Sequence, residues 1–378
     1  MKIGIIGAGI GGLTAAVLLK EQGHDVHLFE KEDALREIGA GIGIGDNVLA
    51  KLGHHDLAKG LKNAGQVLQQ MRVLDTKGTV LSQVTLSQKS TNITLLRQDL
   101  MDLIASYVDK KILHLNHDVT AVERVAEGVR IQFDNHEAVT VDLCIGADGI
   151  HSKVRDAVQP NVKVNYQGYT CFRGVVEDMS QFDHIAEEYW DKKGRFGIVP
   201  LLNGRAYWFA TINAKENDVA YKHFNKPYLQ AYFNHFPNAV RQVLDHQPET
   251  EILHHDIYDL KPLSTFVYQE RVVLLGDAAH ATTPNMGQGA GQAMEDAIVL
   301  ANVLKRFSTL SEALKRYDRL RVKHTKKVIK RSRRIGRIAQ YQNSGLIVLR
   351  NRCMKMTPDR FVTCLLYTSP SPRDRTRS

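Results

Sequence analysis

The stretch KIGIIGAGIGGLTAAVLLKEQGHDVHLFE, residues 2–30, decides the fold of this chain. Its apolar run at Lys2–Ile6 predicts a buried strand, and a helix is predicted over Leu13–Lys20 because small and apolar residues recur at helical spacing. Asp25–Glu30 then reads as a second strand. Strand, helix and strand in this order form a βαβ unit, which is the opening of a Rossmann-like α/β domain.

The turn between the first strand and the helix has the spacing Gly-x-Gly-x-x-Gly. Gly7 permits a tight turn, Gly9 lets the backbone approach a pyrophosphate, and Gly12 lets the helix close on the strand. Glu30 ends the next strand, where its carboxylate can bind both hydroxyls of an adenosine ribose without a 2′-phosphate. The motif predicts dinucleotide binding, and by itself it leaves NAD and FAD open.

Later segments predict further strands and a long helix. Val119–Phe133 alternates like an antiparallel hairpin, and Val141–Gly149 is a buried, near-continuous apolar strand that ends at an acid. Residues 165–260 carry short aromatic-rich strands that we assign to one sheet of a second domain. From Arg271 the chain returns to a buried strand, and a helix is predicted at about Gly289–Phe307.

Composition is that of an ordinary globular protein. The 378 residues are 43% hydrophobic, which is enough to bury the cores of two or three domains. The N-terminal residues predict a strand rather than a secretory leader, and no stretch has the ~18 apolar residues of a membrane-spanning helix. The four cysteines lack metal-type or Cys-x-x-Cys spacing, which predicts free thiols, no metal site and a cytoplasmic protein.

The net charge of +9 is concentrated in one window, Lys315–Arg337, which contains twelve Lys and Arg residues and a single acid, Asp318. Apolar residues interleave with the charges at roughly helical spacing, so we predict the solvated basic face of a C-terminal helix. Binding of nucleic acid, anionic lipid or another acidic partner is the alternative. Because aromatic residues are few here, no nucleic-acid partner is expected.

Three further segments, together with the glycine-rich turn, form a set of motifs that is specific to one family. They are LLRQDL (Leu95–Leu100), CIGADGIHSKVR (Cys144–Arg155) and LLGDAAHATTPNMGQGAGQAMED (Leu274–Asp296). With Gly7–Gly12, this set resembles that of the group A flavoprotein monooxygenases, the para-hydroxybenzoate and salicylate hydroxylase type. The resemblance extends from the N-terminus to about Phe361.

The resemblance implies an α/β fold: a three-layer, Rossmann-like FAD-binding domain with an inserted, mainly antiparallel β-sheet domain for the substrate, and C-terminal helices. We predict FAD binding by residues 1–165 and 265–305, substrate binding by 166–264 and a helical region at 306–364. Residues 365–378, which combine two Ser-Pro steps with three arginines, are predicted to be a non-native tail. A genuine flexible tail is the alternative.

By the same resemblance, Asp277 binds the ribityl chain of FAD, and the helix N-terminus at Gly287–Gly291 faces the flavin edge where negative charge collects. Arg97 reaches the phosphate or ribityl region. Helix capping is the alternative for Asp148 and Asp277, and a surface ion pair for Arg97. The implied cofactor-binding residues are Gly7, Gly9, Gly11, Gly12, Glu30, Lys31, Gly43, Arg97, Val119, Asp148, Gly149, Asp277, Pro284, Gly287, Gln288, Gly289, Ala290 and Gly291.

The implied reaction uses NADH or NADPH to reduce FAD and O₂ to form a flavin C4a-hydroperoxide, which hydroxylates an aromatic or heteroaromatic ring. Arg195 and Tyr207 are expected on neighbouring strands as catalytic residues that bind and polarise the ring, with packing alone as the alternative. Both are similar to residues of FAD-dependent urate hydroxylases, and the motif region also resembles 3-hydroxybenzoate 6-hydroxylases. Cys171 stands where we expect an amide in a urate enzyme.

Other functions and roles stay open. A reductase or dehydrogenase of the same fold would not transfer oxygen, and TTPNMGQG is also similar to zeaxanthin epoxidases, so an isoprenoid substrate is a further alternative. A non-enzymatic binding role through the basic helix is the third alternative, and the assembly considered is a homodimer. We expect structural roles for His280 and for the segment His254–Asp256, the latter as a turn.

Overall fold

The computed structural model describes residues 1–36, 41–86 and 91–357. Its strands are β1 (Lys2–Ile6), β2 (Asp25–Phe29), β3 (Gly41–Ile44), β4 (Gln66–Val67), β5 (Gln70–Asp75), β6 (Val80–Thr85), β7 (Ile93–Leu96), β8 (Leu113–His114), β9 (Val119–Val125), β10 (Gly128–Phe133), β11 (Val139–Val141), β12 (Leu143–Gly146), β13 (Val164–Val176), β14 (Ile185–Asp191), β15 (Gly194–Pro200), β16 (Ala206–Asn213), β17 (Leu253–Leu260), β18 (Val267–Tyr268) and β19 (Val272–Leu274). Its helices are α1 (Ile10–Glu21), α2 (Asp46–Leu52), α3 (Asp56–Ala64), α4 (Arg97–Ala105), α5 (Lys153–Val158), α6 (Lys226–Tyr232), α7 (Asn238–His246), α8 (Asp277–His280), α9 (Gly289–Arg306), α10 (Leu310–Ala339) and α11 (Ser344–Met356).

The N-terminal βαβ unit forms the centre of a six-stranded sheet with the order β18-β19-β12-β1-β2-β8. β1 pairs in parallel with β2 and β12, and apolar residues on both faces of such strands need cover on both sides. α1 and α9 pack together on one side. The hairpin β9–β10 and strand β11 cover the other, where a Cβ at Gly4 would lie 2.7 Å from Ile131 Cδ1. The predicted three-layer α/β unit is confirmed.

A second, seven-stranded sheet has the order β17-β13-β16-β15-β14-β5-β6, and its neighbouring strands are antiparallel except β14 and β5. Helices α6 and α7 cover one face around the buried rings of Phe172, Phe196 and Trp208. The other face is open towards the six-stranded sheet. The predicted aromatic-rich sheet is therefore present, and β5 and β6 extend it although they lie inside the range 1–165 assigned to the first domain. The pairing of β5 with the distant strand β14 places both strands in this sheet, and a local sequence pattern does not show such pairing.

The C-terminal region contains the long helix α10, which packs along α9 and buries Tyr317, Val328 and Ile329. The predicted basic face is only partly right. Lys323, Lys326 and Lys330 are exposed, but Arg321 is 2% exposed and Arg333 forms an ion pair with Asp259. Two of the cations assigned to a solvated face therefore stabilise the interior, because buried carboxylates on other elements face this helix.

The described cysteines Cys144, Cys171 and Cys353 are free, as predicted. Cys364 and the predicted tail at 365–378 lie outside the described residues. Within the described ranges, no helix has the length and apolar character needed to span a membrane.

Candidate functional site

One cavity of about 1110 Å³ extends from the turn after β1 to the open face of the seven-stranded sheet. Small-molecule sites usually measure roughly 300–1,000 Å³, so this cavity has room for a large ligand and a second molecule. The predicted site residues that line it are Gly7, Gly9, Gly11, Glu30, Lys31, Gly43, Arg97, Val119, Asp148, Gly149, Arg195, Tyr207, Asp277, Pro284, Gly287, Gly289 and Ala290. Gly12, Gln288 and Gly291 are not among its lining residues. The individual roles of all these residues stay predictions.

The glycines of the first turn are required for different physical reasons. Gly7 has a φ of +97°, and a Cβ there would lie 2.6 Å from the Ala147 carbonyl oxygen. A Cβ on Gly12 would lie only 1.9 Å from the Gly7 carbonyl oxygen, so Gly12 permits α1 to approach the turn. A Cβ on Gly9 would meet no atom within 4 Å, which leaves the backbone open on the cavity side. Gly7 and Gly12 serve the fold, whereas Gly9 is placed for close approach of a ligand.

Two helices begin at the cavity wall without a side-chain cap. The N-cap residues are Gly9 for α1 and Gln288 for α9, and neither helix has an acidic residue in its first turn. At Gly287 and Gly289, an added Cβ would again have no neighbour within 4 Å. The first N–H groups of a helix and its dipole attract negative charge. The two ends of the cavity therefore fit an elongated anionic ligand, such as a flavin dinucleotide with its pyrophosphate.

Glu30 lies at the cavity, directly after β2. Its Oε2 accepts a hydrogen bond from the Ala8 N–H at 2.7 Å, and its Oε1 accepts one from the Glu32 N–H at 3.1 Å. A carboxylate has about four acceptor positions, so the two bonds fix the side chain and leave capacity for ribose hydroxyls. Lys31 lines the cavity and forms an exposed ion pair with Glu32, with 3.3 Å between Nζ and Oε1.

Asp148 holds the turn that leads into α5. Its carboxylate accepts hydrogen bonds from Ser152 Oγ at 2.5 Å and from the Val154 N–H at 3.0 Å. Burial raises the pKa of Asp148, although these hydrogen bonds oppose the effect. The capping interpretation is thus supported by contacts, while Gly149, with a φ of +78°, keeps the adjoining backbone open to the cavity.

A buried ion network, which the sequence analysis missed, supports the segment Gly276–His280, which contains Asp277. Asp296 Oδ2 accepts hydrogen bonds from the Gly276 N–H at 2.8 Å and from His280 Nε2 at 2.5 Å. Arg321 of α10 contacts Asp296 through Nε and Glu295 through Nη1, the latter at 2.8 Å. His280 therefore has a structural role, as expected.

The carboxylates of this network are ionised at neutral pH. Burial opposes ionisation of Asp296, but His280 and Arg321 outweigh it and lower its pKa to about 2. Burial likewise opposes ionisation of Glu295, and Arg321 and Lys51 lower its pKa to about 2. The acid-base pairs between α9 and α10 could not be recognised from helical spacing, because the partners are brought together by the packing of the two helices.

Arg195 stands at the other end of the cavity, on β15, and is 2% exposed. Its guanidinium donates hydrogen bonds from Nε to Thr211 Oγ1 at 3.0 Å, from Nη1 to Glu188 Oε1 at 3.1 Å and from Nη2 to Asn285 Oδ1 at 2.7 Å. Arg195 and Tyr207 do lie on neighbouring strands, as predicted. However, most donors of Arg195 are engaged by protein groups, so its geometry favours positioning rather than direct neutralisation of a substrate charge.

Tyr207 and Phe209 form the aromatic wall of this end. A Cβ at Gly41 would lie 2.1 Å from Tyr207 Cδ1, and one at Gly197 would lie 2.1 Å from Phe209 Cε1, so each ring covers a backbone that lacks a side chain. Burial raises the pKa of Tyr207, and the nearby Arg173 only partly opposes this effect. Tyr207 therefore remains a neutral hydroxyl that can donate a hydrogen bond.

The segment His254–Asp256 is not a turn, which corrects the expectation. It lies within β17, where His254 Nε2 is 2.6 Å from Thr170 Oγ1. Three consecutive polar residues at the start of β17 resemble a turn in sequence, which explains the error. Over the described ranges, no group of three or more His, Cys, Asp or Glu side chains is placed to hold a metal ion.

Arg173 on β13 is a further cavity residue that sequence reasoning missed. It lies two residues from Cys171, which also lines the cavity, so the alternation of the strand places both on the open face. This alternation was the available signal, since Phe172 and Gly174 face the core side.

Comparisons with known proteins agree with this geometry. The family model described as FAD binding domain matches residues 1–332. The chain is 36% identical over 359 residues to the aurachin C monooxygenase/isomerase of Stigmatella aurantiaca, covering 93% of each protein. It is 30% identical over 347 residues to the FAD-dependent urate hydroxylase of Klebsiella pneumoniae, covering 88% of this chain and 89% of that protein.

A solved structure shows the same architecture. The crystal structure of Klebsiella pneumoniae HpxO complexed with FAD and uric acid matches with a TM-score of 0.88 at 27% identity, covering 96% of this chain and 94% of that one. The resemblance seen in the sequence motifs is confirmed, and the glycine-rich turn and uncapped helix ends fit FAD as the cofactor. The chain therefore belongs to the FAD binding domain family and is an FAD-dependent monooxygenase of the aromatic hydroxylase type.

Proposed function

We propose that this protein uses NADH or NADPH and O₂ to hydroxylate a flat aromatic or heteroaromatic small molecule. The observation that carries the proposal is the continuity of one cavity from the FAD-binding turn to the wall formed by Arg195 and Tyr207. The relatives named as a urate hydroxylase and as an aurachin C monooxygenase/isomerase support a heteroaromatic substrate. The cytoplasmic location and a homodimer stay predictions.

FAD, when bound, supplies the redox chemistry: it accepts a hydride from the nicotinamide and activates O₂ for transfer to the ring. The uncapped N-terminus of α9 would stabilise negative charge on the flavin edge beside it. Pro284, in a short 3₁₀ turn before α9, would form the loop next to the reacting edge. The protein thereby contributes binding, orientation and electrostatics rather than a side-chain nucleophile.

The seven-stranded sheet would orient the ring and exclude water. Phe209, Cys171 and Ile257 form an apolar cluster beside the polar pair Arg195 and Tyr207. The neutral Tyr207 hydroxyl would donate a hydrogen bond to an oxygen of the substrate ring. Arg195, held by Glu188 and Asn285, would keep the sheet and the loop after Thr283 in a fixed relation, so that the ring lies at the flavin rather than in solvent.

The proposal is tested with purified, FAD-loaded protein and a panel of phenols, hydroxybenzoates, purines and quinolones. NADH or NADPH oxidation, O₂ uptake, hydrogen peroxide and oxygenated product are measured together. A substrate should stimulate oxidation of the nicotinamide and appear as a hydroxylated product in near-stoichiometric yield. Reduction of an acceptor without oxygenated product would instead indicate the reductase alternative, and an epoxide from an isoprenoid would indicate the epoxidase alternative.

A further inference from the structure

A second cavity, of about 460 Å³, lies where the first half of β13, the loop before α9 and the C-terminal part of α10 meet. Its volume is within the roughly 300–1,000 Å³ of small-molecule sites. Asn285 is the one described residue that lines both this cavity and the large one that begins at the turn after β1. The second cavity, which we call the α10 cavity, is thus separate from the site assigned to FAD and the aromatic ring.

One side of α10 forms a wall of the α10 cavity. Arg333, Arg337 and the C-cap residue Gln340 follow one another at intervals of four and three residues, so they lie on the same side of the helix. Gly336 also lines this wall and leaves room for Asn285, since a Cβ there would lie 2.5 Å from Asn285 Nδ2. The basic window recognised in the sequence therefore meets a concave surface at its C-terminal end.

The cations of the α10 cavity are compensated unequally. Arg333 is neutralised by the buried Asp259, whose Oδ1 accepts a hydrogen bond from Nη2 at 2.8 Å. The same Nη2 donates to the Leu260 carbonyl oxygen at 2.9 Å, which brings the neighbouring Lys261 to this wall. Lys261 and Arg337 are exposed and form no ion pair in the described parts of the chain, and Arg337 acts on Asp259 only at longer range. Two positive charges without a contacting carboxylate therefore border the cavity.

Acidic residues are found near only one lining residue, Tyr166. Burial and the carboxylates of Asp256, Glu216 and Asp218 raise the pKa of Tyr166, whose hydroxyl donates a hydrogen bond to the Ala214 carbonyl oxygen at 2.8 Å. None of these three acids lines the α10 cavity. Among the described residues, the charged side chains that line it are therefore all cationic.

The side-chain amide of Gln340 is an independent sign of a ligand at this wall. Its Oε1 and Nε2 are both buried and have no hydrogen-bond partner in the described part of the chain. A buried polar group without a partner is costly, and a ligand that supplies the partner removes this cost. An amide offers one acceptor and two donors side by side, which complements the edge of a nucleobase or of a carboxamide. Tyr166 adds an aromatic ring to the same cavity.

We infer that the α10 cavity binds the phosphate monoester of a nucleotide. Such a group carries a charge of about −1.5 to −2 at neutral pH, which matches the two unpaired cations Lys261 and Arg337. The guanidinium can bind it through two parallel hydrogen bonds, and the ammonium acts as a point charge. Gln340 would recognise the base. A free nucleotide and the 2′-phosphate of NADPH both carry this group, and the experiment distinguishes them.

The test measures binding, so it does not depend on hydroxylation. The FAD-loaded protein is titrated by calorimetry with 5′-AMP, 2′-AMP and adenosine at about 0.15 M salt, which screens diffuse surface charge. At least one nucleotide should bind about tenfold more tightly than adenosine, a ratio that corresponds to about 1.4 kcal/mol. Preference for 2′-AMP would identify the phosphate of NADPH, and preference for 5′-AMP a free nucleotide. In the double variant Lys261→Met, Arg337→Met the ratio should fall to about one, whereas Gln340→Leu should weaken all three ligands and keep the ratio.

The double variant Lys330→Met, Arg334→Met is the matched control, because both residues are exposed on α10 and outside the cavity. It removes the same charge and should leave the ratio unchanged. The inference is wrong if the nucleotides bind no more tightly than adenosine, if the control loses the ratio equally, or if flavin fluorescence shows that the nucleotide displaces FAD. Unchanged affinities in Gln340→Leu would contradict recognition of the base. Absence of oxygenated product with every substrate would refute the proposed function and leave this site standing.

Discussion

Arg195 on β15 donates a hydrogen bond to Asn285 in the loop that precedes α9, with 2.7 Å between Nη2 and Oδ1. The same amide donates hydrogen bonds from Nδ2 to Thr283 Oγ1 at 2.8 Å and to the Ser332 carbonyl oxygen at 3.0 Å. Asn285 thus joins the substrate sheet, the cofactor loop and α10. Each of these elements comes from a different part of the sequence, so one amide fixes the relative position of the two halves of the cavity.

Replacement of Asn285 by alanine should therefore impair positioning without removing a charge. We expect Asn285→Ala to lower substrate-stimulated NAD(P)H oxidation by about tenfold, because the hydrogen bonds to Arg195 and Ser332 are lost. This factor corresponds to about 1.4 kcal/mol of transition-state stabilisation. The share of reducing equivalents released as hydrogen peroxide should rise, since the ring is less well held. Asn234→Ala, at an exposed position, serves as control. Unchanged coupling between nicotinamide oxidation and product in Asn285→Ala would contradict the role.

Two glycines of the first turn should respond in opposite ways to the same substitution. Gly9 has a φ of −72° and open space at its Cβ, so Gly9→Ala should leave the unfolding midpoint of the apoprotein within a few degrees of the original and weaken FAD binding. Gly12→Ala would place a Cβ 1.9 Å from the Gly7 carbonyl oxygen, which forces the helix and turn apart. We expect it to destabilise the apoprotein itself by at least ~2 kcal/mol.

The measurements for this pair are urea unfolding of the FAD-free proteins and titration with FAD. Because the two substitutions are chemically identical and three residues apart, each controls for the other. Weak FAD binding by Gly9→Ala together with a destabilised apoprotein would show that Gly9 serves the fold rather than the ligand.

The buried network around Arg321 should be sensitive to loss of its cation. Arg321→Met leaves Glu295 and Asp296 buried without the cation that contacts both, and removal of one member of a buried ion pair costs roughly 3–5 kcal/mol. The free energy of unfolding should fall by about this amount, measured by urea denaturation at pH 7. Arg319→Met on the exposed side of the same helix is the matched control and should change it by less than about 0.5 kcal/mol. Equal effects of the two substitutions would contradict the network.

Acid should destabilise the protein through the same carboxylates. Glu295 and Asp296 have pKa values of about 2 in the folded protein, below the roughly 4.3 and 3.9 of these groups in an unfolded chain. The unfolded chain therefore takes up protons first as the pH falls, so the stabilisation is complete above about pH 5 and is lost progressively towards pH 2. Urea unfolding at several pH values should show this decline, and Asp296→Asn should make it shallower. A free energy of unfolding that is flat between pH 5 and pH 3 would exclude the assignment.

Much of the cofactor half follows from local sequence. The period of the apolar residues and the glycine spacing predict β1, α1 and β2. The close contact of Gly12 with Gly7 lies within the same turn, whereas that of Gly7 is with Ala147, which only the tertiary structure brings near. The part of the cavity formed by the seven-stranded sheet is predicted less completely from local sequence. Arg195 and Tyr207 could be placed on neighbouring strands, but the engagement of Arg195 by Glu188 and Asn285 could not be foreseen.

The sequence by itself determined the resemblance to the family, the glycine-rich turn and the existence of an aromatic-rich sheet, since these depend on short-range periodicity and on motifs of fixed spacing. Only the tertiary structure decided that β5 and β6 join that sheet, that Arg321 is buried and that Arg173 faces the cavity. The physical reason is that strand register and helix packing bring together residues more than twenty positions apart, and the charge that a buried group meets depends on those partners.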